Sequence, residues 1–488
     1  MRAKKILYRE FWGETKRADL LATLEASGAG FEAGYAVLKP AAESRFSLRR
    51  VHVATSFSEW INVRDLAAVS PISGLQEMRR NRLIDPDKTR LEQAMAAYLD
   101  PKRSLAQLAQ LGFGPTEPAG RFDPESARTR LLHAGPNAVS IKRYAFQPLD
   151  TRWCAWAAVR PLWNEPRPDL VREADGRNPL FVTRMIAERP HEQLPALVTR
   201  ALPDYHLLRP NIVAFPFMLH GGQPTDGGLL SQPGVIAARC NLSPRLLAYL
   251  DARSIQKPTT NPAAAALIWH HALAVCCAPA YLADHGAEVR QGWPRIPLPG
   301  DAALLAVSAG LGEQVAALLD PDMPVPGVTA GTPRPELAAI AVPATAPGAR
   351  RDWTLATWGS RSEKGVTMPG RGRTDLRPYS AAEAATEAHA TLLGAQTRDV
   401  WMNGASYWRN IPDGVWETHI GGYQVIKKWL SYRDGSILGR PLAEAEVAHV
   451  QATARRLAAL RLLGPALDAS FHACAAAHVA LPAFTASA

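Results

Sequence analysis

The sequence has few cysteines and no pattern among them. Five occur in 488 residues: Cys154, Cys240, Cys276, Cys277 and Cys474. The number is odd and no CxxC pair faces a second one, which excludes a disulfide framework and a zinc module and fits a reducing, cytoplasmic setting. Long apolar runs are missing too. No stretch approaches the roughly 20 apolar residues of a spanning helix, and the opening MRAKKILYREFWGETKR is too charged for a secretory signal.

Catalytic strings are equally scarce. There is no GxxxxGK[ST], so no P-loop motor is encoded. There is no [DNS]PP[YF] tetrapeptide, the string with which amino-methyltransferases hold a target amine and stack on a flipped base. The nearest string, Asn178-Pro179-Leu180-Phe181, lacks the second proline and runs into a strand-like segment, so it reads as a strand start. Gly28, Gly30 and Gly34 follow a helix-like stretch, Leu20 to Leu24. A cofactor turn needs a buried strand before it, and a helix end with a loop is the better reading. His270-His271 precede Cys276-Cys277, but adjacent helical residues point to different faces. His472, Cys474 and His478 read as core or surface residues of the last helix. No metal ligands are assigned.

What is present is a basic, core-forming chain. Lys and Arg number 55 against 45 Asp and Glu, a formal net charge of +10, and 47% of residues are hydrophobic. Two or three domains are expected from the length. The surplus favours a polyanionic partner, nucleic acid first and anionic membrane second, although genomic base composition produces the same bias.

The pattern predicts a mixed α/β fold: a helical N-terminal connector, a sheet-containing region with helical flanks, and a helical C-terminus. Asp19 to Glu25 and Lys88 to Leu99 have helical spacing. Runs beginning at Val139, Trp153, Leu180 and Ile212 are β-branched and aromatic, as strands require. Asp301 is a helix cap followed by a stripe of Leu304, Val307, Leu311, Val315 and Leu318. Near the end, Val447, Val450, Leu457 and Leu460 form a face that Gly464-Pro465 is expected to stop.

Three strings carry a family likeness. Ile420 to Arg433 reads IGGYQVIKKWLSYR, Tyr144 to Trp153 reads YAFQPLDTRW, and Trp293 to Leu298 reads WPRIPL. In this order they resemble the IGGYQVxKKWLxR, YRPFDxRW and FPRIPL strings of type ISP restriction–modification enzymes. Weaker likeness reaches back to Tyr8 and Trp12. Relatives of this kind are fusions of nuclease, helicase-like motor, coupling region, adenine methyltransferase and C-terminal specificity domain. The chain resembles the last part. The resemblance implies residues 1–135 as a connector that follows the methyltransferase core, 136–330 as the first part of the specificity domain, a Pro/Ala-rich linker over 331–350, and 351–488 as the second part.

The resemblance implies sequence-specific recognition of double-stranded DNA for adenine methylation, and possibly restriction, by a methyltransferase-bearing chain or domain. It implies no membrane partner. No cofactor is expected in this chain, with S-adenosylmethionine held by the catalytic partner. Two alternatives stay open: an active adenine methyltransferase, and an inactive fragment of a split gene. DNA contact needs cations for phosphate and flat side chains for bases. Lys142, Arg143 and Arg152 lie among aromatics, as do Arg160, Arg167 and Arg172. Arg351, Arg361, Lys364, Arg371, Arg373 and Arg377, with Trp353 and Trp358, form a second cluster that Gly365, Gly370 and Gly372 mark as a flexible loop. Lys427-Lys428 read as a solvated helix face, and Ile6, Leu7, Phe11 and Trp12 as candidates for docking a catalytic partner.

Overall fold

The computed structural model describes residues 6–9, 16–25, 34–38, 55–79, 81–120, 122–186, 192–220, 238–255, 257–361, 367–383 and 387–481. Within them lie helices and several small sheets, the mixed α/β class expected, with a helical C-terminus. Residues 16–25 are helical, and helix α1 (Lys88–Tyr98) is capped by Asp87, whose carboxylate accepts from Arg90 N. Its Leu91, Ala94, Met95 and Tyr98 recur at helical spacing and are buried.

The alternating run after Val139 becomes strand β1 (Ser140–Gln147), paired antiparallel with β2 (Asp150–Trp156). On one side β2 takes Ile84–Asp85, and on the other β1 takes Leu202–Pro203 in parallel. A second sheet joins Ile72–Ser73, Ile212–Pro216, Leu180–Arg184 and Ala196–Thr199, and its last two strands are buried at every position. Ile61–Asn62 pairs with Arg295–Ile296. Strands before residue 136 therefore complete sheets built after it, so residues 61–85 are not a separate connector in packing terms.

Two apolar helices, α2 (Pro262–Cys277) and α3 (Ala302–Leu319), pack on each other. Asp301 caps α3 as expected, through its carboxylate and Ala303 N. The buried face differs from the predicted stripe. It consists of Leu305, Ser308, Ala309, Gly312, Val315, Leu318 and Leu319, while Val307 is 61% exposed. The reason is close approach: a Cβ on Gly312 would overlap the His270 carbonyl, so the two helices meet backbone to backbone. By length and composition α3 could cross a membrane, but here it packs against α2 and the C-terminal helix.

The C-terminal sheet is antiparallel, with β3 (Val342–Thr345) at its edge followed in order by Ser406–Pro412, Thr397–Trp401 and Thr374–Arg377. A separate hairpin is formed by β4 (Gly359–Arg361) and β5 (Thr367–Pro369). The remaining strands are β6 (Thr374–Arg377), β7 (Thr397–Trp401) and β8 (Ser406–Pro412). Residues 331–350, expected as a linker, supply the edge strand β3 and bury Leu337, Ile340 and Ala341. An edge strand tolerates Pro343, which is why a Pro-rich stretch can serve there.

Helix α4 (Val425–Ser431) precedes the last helix, α5 (Glu444–Ala476). Gly464-Pro465 does not stop α5; Pro465 lies inside it. An interior proline costs about 3 kcal/mol. Beyond it Leu467, Phe471 and Cys474 are buried, and Phe471 meets Tyr281 edge-on at 5.5 Å between centroids. At roughly 1.5–3 kcal/mol for each large apolar side chain, that burial outweighs the break. At the other end Ile6–Tyr8 pairs with Ala36–Leu38, leaving Ile6 exposed and Leu7 partly buried. Phe11, Trp12, Gly28 and Gly30 lie outside the described residues.

Candidate nucleic-acid interface

The two basic clusters separate into residues engaged inside the fold and residues left outward. In the β1–β2 hairpin, Arg143 stands opposite Trp153. Its guanidinium lies 4.6 Å from the Trp153 ring centroid, with Lys88 5.2 Å from the same centroid. Arg143 is also tied to Asp322, with Nε 2.8 Å from Oδ2. Lys142 is partly buried opposite Cys154. Arg152 is buried: Nη2 donates to Asp150 Oδ2 at 2.7 Å and the guanidinium stacks on Phe146 at 3.8 Å. Arg433 holds the same carboxylate from the other end, at 2.7 and 3.1 Å. Burial alone would raise the Asp150 pKa, but Arg152 and Arg433 dominate and hold it well below the usual carboxylate range.

Other residues of this cluster are similarly occupied. Arg160 pairs with Glu165, Arg167 lies near the same carboxylate, and Arg172 pairs with Asp169. Tyr144 and Trp163 are fully buried, and Trp156 Nε1 donates to the Pro166 carbonyl. Arg152 and its buried aromatic neighbours thus build the hairpin and do not face a ligand.

The second cluster is more open. Trp358 is buried, and its Nε1 donates to the Trp401 carbonyl at 2.7 Å. A Cβ on Gly372 would overlap the Trp358 ring, and one on Gly370 would collide with the Thr357 and Trp358 backbone. Gly370 and Gly372 therefore do not make a loose loop; they let the backbone lie flat on an indole. From that pinned segment Arg371 and Arg373 project outward, both exposed. Arg373 lies 4.1 Å over the Trp401 ring and pairs with Asp375 at 2.6 Å. Trp401 stacks on Tyr407 at 4.5 Å, the cross-strand pair at the end of β7 and β8. The result is a partly exposed Arg–Trp–Tyr ladder. Arg351 is exposed beside Trp353, at 5.3 Å.

Arg377 behaves differently. It grips Asp399 with Nε and Nη2, at 2.8 and 2.9 Å, and Glu383 with Nη1 and Nη2, at 2.7 and 2.9 Å. Its second Nη1 hydrogen goes to the Pro378 carbonyl at 3.2 Å. Every N–H of the guanidinium is used, so none is free for a phosphate. The hydrogen bonds from Arg377 pull the Glu383 pKa down to about 2. The backbone of Arg361 belongs to β4, while Lys364 lies outside the described residues.

Residues weighed for catalysis have structural partners. Asn178 Nδ2 donates to the Glu173 and Met218 carbonyls, and its Oδ1 accepts from Met218 N, which fixes the start of the following strand. His271 is buried between Ser308 Oγ and the Pro297 carbonyl, each at 2.8 Å, and burial lowers its pKa to about 4. Among the described residues no His, Cys, Asp and Glu group could hold a metal ion. Sequence reading missed Trp401 and Tyr407, although the Asn403-Gly404 turn between two apolar runs is a hairpin signal that could have paired them.

Residues 72–459 match the family model described as the type ISP C-terminal specificity domain. No curated protein matches the sequence. Solved structures share the fold, and three of them are as follows. One is the ATP-dependent type ISP restriction–modification enzyme LlaBIII bound to DNA, 11% identical over 91% of this chain and 26% of that one, with a TM-score of 0.52. Another is a DrdV–DNA complex, 15% identical over 96% of this chain and 43% of that one, with a TM-score of 0.57. The third is a nuclease-deletion mutant of the type ISP enzyme LlaGI in complex with a DNA substrate mimic, 10% identical over 96% of this chain and 39% of that one, with a TM-score of 0.52. This chain thus spans well under half the length of each.

Proposed function

Because this chain belongs to the type ISP C-terminal specificity domain family, we propose that it recognises a base sequence in double-stranded DNA. It presents that DNA, in the cytoplasm, for adenine methylation by a methyltransferase-bearing chain or domain. S-adenosylmethionine is held by that catalytic part.

The observation that carries this reading is the outward pair Arg371 and Arg373 on a segment pinned to Trp358, beside the Trp401–Tyr407 stack. A guanidinium pairs with phosphate oxygens in a forked geometry, and a rigid mount reduces the entropy lost when it does. Arg373 is weakly held by its exposed partner Asp375, a pair of the kind worth about 0–1 kcal/mol, so a phosphate can replace that carboxylate. Arg351, exposed beside Trp353, extends the same role, while Arg143 is held by Asp322 and Trp153. Arg377 and Arg152 do not, since internal carboxylates occupy them.

The test is an anisotropy titration of the full chain with labelled mixed-sequence duplex at several salt concentrations. Affinity should fall steeply as salt rises, because bound phosphates release counterions. Binding that ignores salt, or no binding at low salt, would contradict the reading.

A further inference from the structure

Beside Asp150 a second cationic group lies outside the surface just described. Lys428, on α4, has its Nζ 4.6 Å from the Tyr432 ring centroid and 5.6 Å from that of Tyr423. Arg209 lies 4.9 Å over Tyr423, and its Nε and Nη2 donate to the Gly422 carbonyl at 3.2 and 2.8 Å. Arg152 lies 5.1 Å over Tyr432. The pattern Lys427-Lys428 suggested a solvated face, yet Lys428 is partly buried against two aromatic rings.

Two of the group's three cations, Lys428 and Arg209, have no carboxylate partner among the described residues. Among the described residues Lys428 has no hydrogen-bond acceptor and no carboxylate partner, and Arg209 Nη1 has no acceptor. Nearby acids are already engaged. Asp150 serves Arg152 and Arg433, Asp204 accepts from the Tyr144 hydroxyl at 2.6 Å and from His206 N, and Glu446 is held by Arg440. Desolvation first, and then the charges of Arg209 and Arg152, lower the Lys428 pKa to about 8. Like charges held together away from water are costly unless an anion joins them. Position supports the same conclusion. Helix α4, which carries Lys428, packs on the β4–β5 hairpin, and β5 leads directly into Gly370 and Arg371, so one helix connects this group to the segment proposed to meet DNA.

We propose that Lys428 and Arg209, flanked by the rings of Tyr423 and Tyr432, form a receptor for one phosphodiester of the bound duplex. The claim rests on the DNA-recognition reading and adds a second anchoring point to it. The rings already position both charged heads, so little side-chain entropy is lost on contact. A bound phosphate raises the Lys428 pKa, so binding takes up a proton and weakens as pH rises through the value of the free chain. Tyr432, which burial raises to about 12, stays neutral, and Tyr423 is raised as well.

The test uses the full chain, a mixed-sequence duplex and inorganic phosphate, with Lys428→Met and Lys428→Arg. Lys428→Met should bind the duplex about tenfold more weakly, whatever its sequence. Its salt slope should be shallower by about one, and the loss of affinity from about pH 7 to 9 should disappear. Its unfolding midpoint should not fall, since a crowded charge is removed. Lys428→Arg should keep the slope and lose the pH dependence. A Lys428→Met chain that binds like the parent with the same slope overturns the receptor. So does one whose weaker binding merely tracks lost stability. Inorganic phosphate that stabilises the parent but not Lys428→Met, with duplex affinity unchanged, would mark a free-anion site and also overturn it. A parent that binds no duplex even at low salt would sink the DNA reading itself.

Discussion

Arg433 closes on Asp150 across 283 residues of sequence, with Nη2 2.7 Å from Oδ1 and Nη1 3.1 Å from Oδ2. Arg152 completes the group from within the hairpin, and all three are buried. Removing the shared carboxylate leaves Arg152 with no carboxylate partner among the described residues, and leaves Arg433 only the more distant Glu446, 3.8 Å from its Nε. Asp150→Asn should therefore cost about 3–5 kcal/mol in urea unfolding. Arg433→Met should cost less, because Asp150 keeps Arg152. Equal midpoints for Asp150→Asn and the parent would show that the clamp does not hold the hairpin to the C-terminal segment.

The same group sets a response to acid. The Asp150 carboxyl is held below its unfolded value of about 3.9. A depressed folded pKa contributes stability above the unfolded pKa, and that contribution is lost as pH falls towards the folded one. Glu383, lowered to about 2 by Arg377, acts in the same direction. Stability should thus hold near neutrality and decline below about pH 4, with a smaller decline in Asp150→Asn. Urea midpoints measured across that range check this. An Asp150→Asn chain with the parent's full acid dependence would contradict it.

The two kinds of arginine in the second cluster should separate in a paired measurement. Arg377→Ala strands the buried Glu383, which keeps only Arg409 at 3.2 Å among its ion-pair partners, and leaves Asp399 without its forked partner. A stability loss of about 2–4 kcal/mol is expected, with little change in the salt slope of DNA binding. The double variant Arg371→Ala with Arg373→Ala should do the opposite. It should unfold within about 0.5 kcal/mol of the parent, with a salt slope shallower by about two. Reversed outcomes would exchange the roles assigned to these side chains.

Gly372→Ala tests the pinned segment. Its Cβ would overlap the Trp358 ring, whereas a Cβ on Gly404 meets nothing nearby. Overpacking of this kind costs about 1–3 kcal/mol. Gly372→Ala should melt lower and bind DNA more weakly as Arg371 and Arg373 move. Gly404→Ala is the matched control for space. Identical melting of the two variants would mean that the segment does not lie on Trp358.

Local patterns were readable where one residue decides them. Asp301 caps its helix as its position suggests, and the β-branched run after Val139 is a strand. The buried face of α3 was not readable, because Gly312 and Ser308 win the interface through backbone proximity to α2, which no apolar count registers. Pro465 fails as a stop because burial contributed by distant helices outweighs its local cost. Composition grouped Arg373 with Arg377, and only tertiary partners separate them: one lies on an exposed indole, the other between two carboxylates. The strings around Asp150 and Arg433 were visible in sequence as two motifs, but that they meet was not. Lys428 is charged in sequence and crowded in space because Arg209 arrives from a remote loop.

The central claim, that this chain reads DNA sequence, is tested most directly by selection. The full chain is incubated with a pool of duplexes randomised over a central stretch, and the bound fraction is recovered and sequenced through several rounds at moderate salt. One recurrent motif should be enriched, and the Arg371→Ala, Arg373→Ala variant should recover the same motif with lower yield, since phosphate contacts position and base contacts specify. A bound pool that stays as random as the input, although the chain binds duplex tightly, would contradict the account.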